Sequence, residues 1–82
     1  QSRSVRERVE YLLKELAARF GAPDALGTRI GVQLSRDEMA SMLGMATETL
    51  IRELSMLKEE NVIRQDGKAI ILVNKKFAQA QA

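Results

Sequence analysis

The stretch SRDEMASMLGMATETLIRELSMLKEEN, residues 35–61, decides the fold. It opens on Ser35-Arg36-Asp37-Glu38, an S-x-x-E pattern. In such a capping box the Ser side chain takes a backbone N–H three residues on, and the Glu reaches back to the N–H of the Ser. Met39, Ala40 and Leu43 follow at helical spacing, and Gly44 can take the positive φ that ends a helix. The spacing predicts a short helix over 35–43. Leu50, Leu54 and Leu57, at i, i+4 and i+7, predict another over about 47–60, closed by Asn61. Only Gly44 to Thr47 separate the two. Two short helices across a short Gly-containing turn are the helix-turn-helix pattern.

Downstream, Val62-Ile63-Arg64-Gln65 and Lys68-Ala69-Ile70-Ile71-Leu72-Val73 flank Asp66-Gly67. An Asp-Gly pair between β-prone runs is a strong hairpin signal, so a wing should follow the helices directly. Upstream, Val5, Val9, Leu12, Leu13, Leu16, Ala17 and Phe20 recur at 3.6-residue spacing, with charged residues opposite. Ser4 and Glu7 have capping-box spacing, and Gly21 and Pro23 stop the run, which predicts a helix over 4–20. Residues 21–31 read as a loop, and the alternation Ile30, Val32, Leu34 as a brief strand. Residues 79–82 have low complexity and are expected to fray. The fold class expected is mainly α with small β: a winged helix-turn-helix of three helices plus a β-hairpin wing. Leu12, Leu16, Leu43, Leu50, Leu54, Leu57 and Ile63 should form one core.

Composition bounds the chemistry. With 82 residues there is room for one small domain, which at this size buries roughly 60–65% of its unfolded surface. The chain has no Cys and no His, which excludes disulfides, thiolate or imidazole metal sites, His-based triads and Cys nucleophiles. No convergent catalytic set is visible, so no enzyme is expected, and no cofactor in this domain. No apolar run approaches about 18 residues and no signal-peptide pattern is present, so neither membrane insertion nor export is indicated. The absence of Cys suits a cytoplasmic protein. The chain starts at Gln1 without an initiator Met, which reads as a fragment of a longer chain.

Charge is a weak clue. Thirteen Lys/Arg against eleven Asp/Glu leave a formal net charge of +2, and no polybasic tail exists. A solvated surface of mixed sign explains that composition. Nucleic-acid binding must therefore be argued from where particular residues sit.

The outward face of the helix over 47–60 carries Thr47, Glu48, Ile51, Arg52 and Ser55. Glu48 and Arg52 lie one turn apart. A Glu accepts from cytosine N4, and an Arg donates twice to guanine O6 and N7, so the two can read one C·G pair across both strands. Ile51, apolar where solvent is expected, can touch a thymine methyl. The plainer alternative is an ordinary i, i+4 ion pair beside one exposed apolar residue. The flanking helix-turn-helix and wing favour base reading. Phosphate contacts are expected at the edges. Ser35 and Arg36 start a helix, where free N–H groups favour an anion; Thr49 offers a hydroxyl; Lys68 stands beside the wing turn. Each of these also fits a plain cap or surface role.

The run from Leu34-Ser35-Arg36-Asp37-Glu38-Met39-Ala40 through Leu43-Gly44-Met45-Ala46-Thr47-Glu48-Thr49-Leu50-Ile51-Arg52-Glu53-Leu54 resembles the C-terminal DNA-binding domain of Crp–Fnr transcription regulators. Leu57-Lys58-Glu59-Glu60-Asn61-Val62-Ile63, Asp66-Gly67-Lys68 and Ile70 are similar to the end of that family's recognition helix and its wing. Val5-Arg6-Glu7-Arg8-Val9 and Leu12-Leu13 look like its first helix. The resemblance implies a homodimer on a palindromic double-stranded DNA operator. An N-terminal sensory β-barrel and a long dimerisation helix, both absent from this sequence, go with it, and so does an effector this sequence does not reveal. RNA polymerase is a candidate further partner.

The family's base-reading Glu and Arg match Glu48 and Arg52, which implies a TGA-like half-site core. Thr47 stands where the cyclic-AMP receptor branch has an Arg that reads an additional G, so a preference nearer TTGA than TGTGA is implied. Ile51 replaces the frequent Ser or Gly. Ala46 replaces the usual Ser or Thr cap, so either Thr47 caps the helix or a contact worth about 1 kcal/mol is lost. A winged-helix protein–protein interaction domain without DNA binding is the alternative from another class.

Overall fold

A computed structural model describes residues 4–74. The first helix, α1, spans Val5–Phe20, and Ser4 and Glu7 form the reciprocal capping box that their spacing predicts. Its apolar stripe buries Val9, Leu12, Leu13 and Leu16. The second, α2, spans Arg36–Leu43 behind the capping box of Ser35 and Glu38. Gly44 ends it at φ 65, a left-handed conformation that any side chain would strain. The third, α3, spans Thr47–Glu59, with Glu60 as its C-cap. Asn61 follows at φ 60, which Asn tolerates better than most residues.

The 21–31 segment departs from its sequence reading. It is a β-hairpin rather than a loop: β1 (Gly21–Asp24) pairs antiparallel with β2 (Gly27–Ile30). The wing strands are β3 (Ile63–Asp66) and β4 (Ala69–Val73), turned at Gly67. β2 also pairs with β4, so all four strands make one sheet in the order β1-β2-β4-β3. The expected strand through Ile30, Val32 and Leu34 stops at Ile30; Val32 and Leu34 leave the sheet and pack, half-buried, on the core. Two features hid the hairpin. Its strands are four residues long, and Pro23 lies in one of them, tolerated because β1 is an edge.

The register sets Ile30 opposite Ile70 and Ile63 opposite Leu72, which gives the sheet one apolar face. That face packs with Val9, Leu12, Leu13, Leu16, Met39, Ala40, Leu50, Leu54 and Leu57. Leu43, expected in the core, is only half-buried at its margin because it ends α2 beside the exposed turn. The expected fraying at 79–82 lies outside the described residues.

Candidate nucleic-acid interface

Leu50, Leu54 and Leu57 anchor α3 to the core with essentially no exposure. Because a helix repeats every 3.6 residues, that stripe turns Glu48, Ile51, Arg52 and Ser55 to solvent, and all four are exposed. Ile51 keeps 48% of its surface open, a large apolar group with no core to join. Among the described residues, neither the Glu48 nor the Arg52 side chain makes a hydrogen bond or ion pair, so the plain i, i+4 pair does not form. Other arginines are engaged: Arg6 with Glu53 and Glu60, Arg19 with Glu15, and Arg29 with Asp24 and Asp66.

The N-terminus of α3 is tied to α2. Ala46 holds the N-cap position in extended backbone with no side-chain cap bond, so the cap contact is lost rather than passed to Thr47. Thr47, the first helical residue, instead donates its hydroxyl to Asp37 Oδ1 at 2.7 Å. The opposite end of α3 is tied to α1. Arg6 Nη1 and Nη2 donate to the two carboxylate oxygens of Glu60, each at 2.7 Å, and Arg6 Nε donates to Glu53 Oε1 at 3.3 Å. The Arg6 guanidinium holds the Glu60 carboxyl below its ordinary pKa. Thus α3 is fixed at both ends while its outward face stays free.

The four edge residues stand differently. Ser35 is committed to its cap: its Oγ accepts from the Glu38 N–H at 3.0 Å, and its own N–H donates to Glu38 Oε1 at 2.8 Å. The Ser35 N–H, together with the Ser35 side chain, holds the Glu38 carboxyl below its ordinary pKa and puts a carboxylate at the start of α2. Arg36 is half-buried, with Nη1 at 3.8 Å from Met39 Sδ. Arg36 and Lys68 line one small cleft, so α2 and the wing bring two cations together. Thr49 is half-buried and Lys68 exposed.

Sequence reasoning missed two supports. Asp37 carried no signal beyond a helix first turn. Arg29 lay in the supposed loop, yet its Nη2 donates to Asp66 Oδ2 at the wing turn at 2.8 Å, and its Nε lies 3.5 Å from Asp24 Oδ1. Among the described residues no group of three or more His, Cys, Asp or Glu is placed to hold a metal ion. No described helix is long and apolar enough to cross a membrane.

Residues 7–77 match the Crp-like helix-turn-helix domain family. The chain is similar to the transcriptional activator protein FnrL of Cereibacter sphaeroides, 33% identical over 75 residues that cover 87% of this chain and 30% of that protein. It is also similar to the CRP-like cAMP-activated global transcriptional regulator of Mycobacterium tuberculosis, 31% identical over 79% of this chain and 29% of the relative. Its fold matches the CO-dependent transcription factor CooA of Carboxydothermus hydrogenoformans with a TM-score of 0.79 at 20% identity, over 94% of this chain and 36% of that one. The chain thus spans about 30% of the length of the curated relatives it matches. With its helix-turn-helix, its wing and this match, the chain belongs to the Crp-like helix-turn-helix family, the DNA-binding domains of Crp–Fnr transcription regulators.

Proposed function

We propose that the domain sets α3 in the major groove of double-stranded DNA and reads a TGA-like half-site. Arg52 donates to guanine O6 and N7, and Glu48 accepts from N4 of the paired cytosine. Ile51 lies against a thymine methyl, and Thr47 meets the neighbouring base pair. Ser35, Arg36, Thr49 and Lys68 touch phosphates and set the register without carrying sequence information. The observation that supports this reading is the unpaired, exposed Glu48 and Arg52 on a helix fixed at both ends. In the longer protein, a cytoplasmic homodimer would present two such helices to a palindromic operator, with half-sites about one helical turn, roughly 34 Å, apart. There it would meet RNA polymerase.

A titration of labelled duplex across a range of salt tests the proposal. The 82-residue chain should bind weakly and lose affinity steeply as salt rises, because each phosphate contact releases counterions. An inverted repeat of the half-site should outcompete a scrambled duplex. Salt-insensitive binding, or equal affinity for the scrambled duplex, would contradict it.

A further inference from the structure

Thr47 opens α3, at the end that a recognition helix turns to base edges. Its hydroxyl carries one hydrogen and two lone pairs. The hydroxyl oxygen lies 2.7 Å from Asp37 Oδ1. An ionised carboxylate only accepts, so the hydrogen of that bond belongs to Thr47. The half-buried Thr47 is therefore left with lone pairs alone to offer a base. In the major groove, adenine N6 and cytosine N4 donate, whereas guanine O6 and N7 and thymine O4 accept. We infer that Asp37 is a specificity-determining residue: by holding the Thr47 hydroxyl hydrogen it makes Thr47 an acceptor, selective for an adenine or cytosine edge and closed to guanine and thymine.

This rests on α3 entering the major groove, and it adds what that reading leaves open, the hydrogen-bond polarity at the first helical residue. Asp37 acts through Thr47 and needs no contact with DNA itself. The pair also bridges α2 to α3, so Asp37 is a positioning residue whose effect should appear in base choice at one pair. A structural tie alone would change affinity for all sequences alike.

The test is a competition titration of the full 82-residue chain at low salt. It uses half-site duplexes carrying each of the four bases, on the strand complementary to the TGA core, at the pair facing Thr47, and the wild type, Thr47→Ser, Thr47→Val and Asp37→Ala, with circular dichroism to verify folding. The wild type and Thr47→Ser should favour adenine or cytosine at that position by about three- to tenfold, the scale of one hydrogen bond. Thr47→Val should abolish the preference. Asp37→Ala frees the hydroxyl to rotate and donate, so guanine and thymine should rise to within about twofold of adenine and cytosine. A wild-type preference for guanine or thymine there would overturn the inference. So would an Asp37→Ala profile that matches the wild type, or a folded Asp37→Ala that loses affinity equally for all four bases. In each of these cases half-site binding survives and only the inference falls. Failure to prefer any half-site over scrambled duplex would sink the groove reading as well.

Discussion

Arg6 on α1 and Glu60 at the end of α3 form a bidentate ion pair, two N–H···O bonds of 2.7 Å each. A parallel pair of bonds fixes direction as well as distance. The first helix therefore sets where the last turn of α3 lies, 54 residues further along the chain.

The pair has a pH signature. The Glu60 carboxyl sits below its ordinary pKa chiefly through its hydrogen bonds from Arg6. A depressed carboxylate contributes stability that is complete above its unfolded value of about 4.3 and is lost as pH falls through the folded value. Glu60→Gln should thus lower the urea midpoint at pH 7, and the gap to wild type should narrow towards pH 3. A gap that widens on acidification would contradict the pairing.

Leu54 is 1% exposed in the middle of α3. Leu54→Ala should cost about 2–5 kcal/mol by urea unfolding. The half-buried Leu43 should cost less on the same change, and a reversed order would place the core wrongly.

Ala46 has the backbone of an N-cap, φ −68 and ψ 146, without a capping side chain. Ala46→Ser should raise stability by about 1 kcal/mol, because Ser Oγ can accept a free N–H in the first turn of α3. No gain in thermal or urea unfolding would mean that those N–H groups are already satisfied.

Local chemistry made most of the fold legible. Both S-x-x-E boxes, the Gly44 turn, the leucines of α3 and Asp66-Gly67 are signals within a few residues of one another, and each marks the element found there. The β1–β2 hairpin was illegible because its stabilising partner, β4, lies more than forty residues further on: Thr28 pairs with Leu72. Its short strands carry almost no pattern of their own. In the candidate site, helical periodicity alone identifies the outward face of α3. The bonds that modify it, Thr47 to Asp37 and Arg29 to Asp66, join residues that become neighbours only on folding.

Lys68 is exposed beside the wing turn, and the proposed docking makes it a phosphate contact. Lys68→Ala should weaken binding to every sequence about equally and reduce the slope of log affinity against log salt by about 1. A change in base preference would instead make it a base reader.

Arg52 carries the central claim. The direct measurement is a binding titration of wild type and Arg52→Ala against half-site duplexes varied one base pair at a time. The account predicts that Arg52→Ala loses about 1–3 kcal/mol at the preferred sequence and flattens discrimination at the single G·C pair shared with Glu48, with the other positions unchanged. It also predicts that no additional G upstream of the TGA core is required, since Thr47 has no guanidinium. An unchanged G·C preference in Arg52→Ala, or a strict requirement for the upstream G, would contradict it.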